Sequence, residues 1–140
     1  MNPKFIIFTG PMFGSKTTRL FAVLDRYKYQ KRNVIAVDEA FMIPGASWVL
    51  IDLFKKGKTI VVSSLDLSAT GKAFDEVEAM FPWATHIEKC PAVCTICGQD
   101  AYYTHKKVED IAEITVGGSE LYEPRCWKHH SYFNSLDYLS

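Results

Sequence analysis

A mostly parallel β-sheet with flanking helices, an α/β fold, is expected because short apolar runs alternate with helical patterns along residues 4–88. Two details mark the sheet's ligand edge. A glycine-rich turn, GPMFGSKTT at residues 10–18, separates the first run from the first helix, and two acids, Asp38 and Glu39, end the second run. At Cys90 the composition changes to cysteine, histidine and glycine, so a small second lobe is expected to follow.

Residues 4–9 form the first strand. The helix after the glycine turn places Leu20, Val23, Leu24 and Tyr27 on one face. Val34, Ile35, Ala36 and Val37 read as a parallel strand buried on both faces. Trp48, Ile51 and Phe54 suit a helix closed by Gly57, and a third buried strand at 59–62 leads toward Asp66. Residues 72–80 suit a helix stopped by Pro82, and 85–88 a fourth strand. The expected organisation is an α/β domain at 1–89, a metal-binding lobe at 90–130 and a tail at 131–140.

With 140 residues, 48% of them hydrophobic, the chain can bury one core. Sixteen basic and sixteen acidic residues cancel, which argues against nucleic acid or anionic membrane as a partner and favours local recognition. There is no charged leader with a long apolar stretch, and no eighteen-residue apolar run, so the expected setting is cytoplasmic.

The glycine turn nearly spells the phosphate-binding pattern G-x-x-x-x-G-K-[ST], but Ser15 stands where glycine precedes the lysine, and Gly14 comes one step earlier. Backbone N–H groups of such a turn can cradle phosphate at a helix N-terminus, with Lys16 on the outer phosphates and Thr17 on Mg²⁺. The competing reading is an ordinary helix start capped by Ser15. A Cβ at residue 15 would cost about 1 kcal/mol or more if the backbone there had positive φ. Asp38 suits the metal's water shell and Glu39 a base; Asp66 has a similar address after the third strand.

Cys94-x-x-Cys97 and Cys126-x-x-His129 fit one tetrahedral zinc in a reducing compartment. Four ligands leave no open position, so the metal is expected to be structural and to staple residues 98–125. His130 is an alternative fourth ligand, buried thiols or a disulfide are alternative uses, and Cys90 has no partner hook.

With these motifs in place, the chain resembles the type II thymidine kinases, the cytosolic zinc-containing class. The resemblance takes in Gly10, Pro11, Met12 and Phe13 with the loop through Gly14, Ser15, Lys16, Thr17 and Thr18. It also covers Asp38-Glu39, the run from Val61 to Asp66, both zinc hooks, and the segment VGGSELY at 116–122. It implies a P-loop NTPase-like domain plus a zinc-ribbon-like lobe, and transfer of the ATP γ-phosphoryl to the 5′-hydroxyl of thymidine or deoxyuridine. Glu39 is implied as catalytic base, and residues 10–18 with Asp38 as the ATP and Mg²⁺ site. Thr115, Val116, Gly117, Gly118 and Tyr122 are implied as a lasso around the base, with Phe74 and Met42 beside the nucleoside. Zinc at Cys94, Cys97, Cys126 and His129, feedback by thymidine triphosphate and a homo-oligomer, tetramer or dimer, are also implied.

The chain departs from the family pattern between Lys31 and Val34, where members normally carry a further strand, loop and helix. It also has Ala69 where an aromatic is usual. Two other functions are therefore carried: a catalytically silent nucleoside binder and, from another class, a zinc-ribbon module binding nucleic acid.

Overall fold

A computed structural model describes residues 2–107 and 118–130. Four parallel strands make the main sheet in the order β2-β3-β1-β4: β1 Phe5–Gly10, β2 Val34–Asp38, β3 Thr59–Leu65 and β4 His86–Lys89. Register follows from the matched apolar runs, with Phe5 beside Ile60, Ile7 beside Val62 and Val37 beside Val62 on the other flank. The connection from β1 passes β3 to reach β2, and the connection from β3 passes back over β1 to reach β4, so the direction of winding reverses at β1 and β3. A ligand crevice is therefore placed at the carboxyl ends of β1 and β3.

Helices cover both faces, as continuous apolar strands require. The helix α1, Lys16–Tyr29, turns Leu20 and Tyr27 onto Ile6, Phe8, Val61 and Cys90. On the other face, α2 (Ala46–Lys55) and α3 (Asp75–Met80) bring Leu50 and Met80 onto Phe5, Ile7, Ile60 and Val62. The helix expected at 72–80 starts later, because Phe74 is extended (φ −79°, ψ 125°) and donates its N–H to Asp66. Helix α2 starts against a carboxylate. Glu76 accepts the N–H groups of Gly45 (3.0 Å) and Ser47 (2.9 Å), and these bonds hold its pKa below the ordinary value.

One expectation is corrected. Strand β2 lies at the sheet edge and is only partly covered, with Ala36 exposed. Trp48 is 82% exposed, because the buried stripe of α2 runs through Ala46, Ser47 and Leu50 and leaves Trp48 on the outer side of a helix turning about 100° per residue. The connection from α1 to β2 is tight. Lys31 takes a positive φ of 54°, and the N–H groups of Lys31 and Arg32 return to the carbonyls of Lys28 and Tyr27.

Beyond β4 the chain forms two antiparallel pairs: β5 (Ala92–Val93) with β6 (Asp100–Ala101), and β7 (Tyr103–Lys106) with β8 (Tyr122–Arg125). Among the described residues no helix is long and apolar enough to cross a membrane.

Candidate active site and metal centre

The loop between β1 and α1 is pressed against the backbone of Cys90. A Cβ at Gly10 would stand 2.3 Å from the Cys90 carbonyl oxygen, and one at Gly14 would stand 2.9 Å from it, so glycine is demanded at both positions by close approach. Ser15 has φ −87°, which any L-residue adopts, so the exchange of Gly14 and Ser15 carries no Cβ strain. The left-handed residue of the loop is instead Phe13, at φ 65°. Ser15 occupies the cap position of α1 without capping it. Its hydroxyl instead accepts Arg19 Nε at 2.9 Å, and Arg19 also pairs with Glu88. The side chain of Thr18 is exposed.

Lys16 is buried and its Nζ donates to the Pro11 carbonyl at 2.5 Å. Burial lowers its pKa, against the fields of Glu39, Asp66, Cys90 and Asp38, which favour the charged form. Thr17 Oγ1 lies 3.3 Å from both carboxylate oxygens of Asp38. Asp38 also accepts the Ser63 hydroxyl and, at 3.0 Å, the Glu39 N–H. Glu39 itself is left-handed (φ 57°, ψ 40°), an uncommon conformation for a residue with a side chain. Its surface stays open to solvent, yet its carboxyl is partly desolvated. That burial raises its pKa above 4.5, with Asp38 adding to the rise and Lys16 opposing it.

Phe41 and Phe74 pack with their rings tilted at 41° and centroids 4.8 Å apart, while Met42 is 52% exposed. Asp66 pairs with Lys89 at 3.2 Å. Tyr122 is buried and opens β8 opposite Lys106, and Gly118 accepts the N–H groups of Leu121 and Tyr122. Thr115, Val116, Gly117 and the tail at 131–140 lie outside the described residues.

The metal-ligating atoms of Cys94, Cys97, Cys126 and His129 gather within 4.8 Å of one another. A tetrahedral zinc, with about 2.3 Å to sulfur and 2.0 Å to nitrogen, asks for S–S edges near 3.8 Å and S–N edges near 3.5 Å. The Cys97–Cys126 sulfur separation is 3.7 Å and that from Cys126 Sγ to His129 Nδ1 is 3.1 Å, so the donor set fits zinc. Burial disfavours the Cys94 thiolate, but backbone N–H groups of Cys126, Cys97 and Ile96 outweigh it and bring the pKa to about 6. His130 points elsewhere: its Nε2 meets the Thr104 carbonyl at 2.7 Å. All four cysteines are free of disulfides, and Cys90 serves through its backbone beneath the loop.

Some contributors carried no clear sequence signal. Ser63 could have been found as a hydroxyl at the carboxyl end of an apolar strand. Thr104, whose hydroxyl accepts the Met12 N–H at 3.0 Å, could not, since 92 residues separate the partners. Thr9 Oγ1, just before the loop, is buried without a hydrogen-bond partner among the described residues.

The thymidine kinase family model matches residues 30–130, more than two thirds of the chain. The match takes in Asp38, Glu39, Phe74 and all four zinc-fitting residues, and it begins after the glycine loop. With a sheet, an acidic strand end and a Cys₃His cluster that agree with it, the chain belongs to the thymidine kinase family.

Proposed function

We propose that this chain is a thymidine kinase that moves the γ-phosphoryl of ATP to the 5′-hydroxyl of thymidine or deoxyuridine. The observation that carries this reading is the meeting of Lys16, Thr17, Asp38 and Glu39 above the carboxyl ends of β1 and β2. In this reading the backbone of residues 10–18 holds the ATP phosphates, and the uncapped start of α1 faces them. Lys16 leaves the Pro11 carbonyl to reach the outer phosphates. Thr17 and Asp38 would hold Mg²⁺, which when bound would neutralise charge developing on the transferred group. Glu39, with its raised pKa, takes the proton from the 5′-hydroxyl as that oxygen attacks.

Phe74 and Met42 border the nucleoside, and Thr115, Val116, Gly117, Gly118 and Tyr122 form the lasso around the base. Zinc on Cys94, Cys97, Cys126 and His129 is structural and staples residues 98–125 within the lobe at 90–130, anchoring both ends of the segment that carries the lasso. Family membership alone supports a cytoplasmic homo-oligomer, dimer or tetramer, with thymidine triphosphate as feedback inhibitor.

A silent nucleoside binder has one observation in its favour, the Lys16 ammonium already engaged by Pro11. Calorimetry with thymidine and with ATP, beside a single-turnover assay, separates the two. Binding followed by thymidine monophosphate formation supports the kinase; saturable binding without transfer supports the silent form.

A further inference from the structure

The Gly10–Gly14 turn is held at Met12 by a residue of the metal lobe. Thr104 lies in the middle of β7 and is 5% exposed, and its hydroxyl accepts the Met12 N–H. Thr104 is in turn fixed from two directions. Its register partner in β8 is Pro124, two residues before the ligand Cys126, and its carbonyl meets Nε2 of His130, the residue after the ligand His129. A short, continuous path therefore runs from the second metal hook through β8 and His130 to Thr104, and from there to the loop backbone. Arg125 stiffens this path, pairing with Glu123 and donating to the His129 carbonyl at 3.2 Å.

We propose that Thr104 is a positioning residue for the phosphate loop, and that metal binding sets the loop's geometry through it. This inference rests on the nucleotide role given to residues 10–18. The physical reason is that a loop with a left-handed Phe13 needs outside support to hold its N–H groups in one arrangement. The backbone of Cys90 packs against Gly10 and Gly14, and the Thr104 hydroxyl supplies a second contact at Met12. The zinc centre then acts on nucleotide binding at a distance, through a hydrogen bond that orders the loop before the nucleotide arrives.

The test compares Thr104→Val, which keeps shape and loses the hydroxyl, with Thr104→Ser, which keeps the hydroxyl. Three quantities are measured on the zinc-loaded protein: zinc content, amide hydrogen exchange at Met12 without nucleotide, and MgADP affinity. The expected result for Thr104→Val is unchanged zinc content, Met12 exchange faster by about fivefold or more, and MgADP affinity weaker by about fivefold, the equivalent of one neutral hydrogen bond. Thr104→Ser restores both. Zinc removal from the unmutated protein accelerates Met12 exchange, and adds little in Thr104→Val. Met12 exchange within twofold of the unmutated protein in Thr104→Val overturns the proposal. If the unmutated protein binds no MgADP, the nucleotide reading fails, while Met12 exchange still decides whether Thr104 and the metal order the loop.

Discussion

At Ser15 the order of two residues in the loop raised a question of strain that the backbone answers. With φ at −87°, a side chain is accommodated, so Ser15→Gly is expected to leave ATP affinity within about twofold, measured by calorimetry. Gly10→Ala is expected to cost on the order of 2–4 kcal/mol in denaturant unfolding, because φ is 139° and the Cys90 carbonyl blocks the Cβ. Glu39 makes one contribution to the pH dependence. Its folded pKa is raised, so its favourable contribution is full at pH values below its unfolded pKa and is lost as pH rises through the folded value. At neutral pH the ionised carboxylate is therefore a cost to the fold, and Glu39→Gln is expected to unfold at a slightly higher temperature than the unmutated protein. If Glu39 is the base proposed above, activity has the opposite requirement and is expected to rise with pH as Glu39 loses its proton, above the ordinary carboxylate range. The acids were readable in the sequence because they end an apolar run. Their electrostatics were not, because they depend on Lys16 and Ser63, brought in from α1 and β3.

At the scale of elements, apolar runs reported the sheet well, because a central parallel strand must be apolar on both faces, as β1 and β3 are. The same pattern misreported β2, since an edge strand can carry the same residues and be covered on fewer sides. Helix α2 shows the other limit: Trp48, Ile51 and Phe54 announced the helix, but its apolar residues did not show that Ala46, Ser47 and Leu50 form the buried stripe and leave Trp48 outside. The partner of its N-terminus, Glu76, lies 29 residues from Ser47 and left no local sign. Glu76→Ala is expected to destabilise the protein by about 1 kcal/mol near neutral pH. Because the folded pKa of Glu76 is lowered, this contribution is present above the unfolded pKa and is lost as pH falls through the folded value. Unfolding curves of the two proteins are therefore expected to converge in acid.

For the whole molecule, the zinc hooks were visible from spacing alone, since a tetrahedral site needs two short pairs brought together. The choice of His129 over His130 was not visible, because it turns on the Thr104 carbonyl that holds His130. Cys126→Ser is expected to reduce zinc content from about one per chain to near zero and to lower the melting temperature, as lost metal binding removes folding free energy. The proposed kinase reading joins these sites: in it, Asp38 and Glu39 at the end of β2, Lys16 and Thr17 from α1 and Phe74 before α3 act on one substrate pair. A single-turnover measurement of labelled γ-phosphate transfer from ATP to thymidine, comparing the unmutated chain with Glu39→Gln, tests this most directly. The expected result is transfer by the unmutated chain and a loss of about 10²–10⁴-fold in Glu39→Gln, with thymidine affinity retained. Equal transfer rates in the two proteins would contradict it.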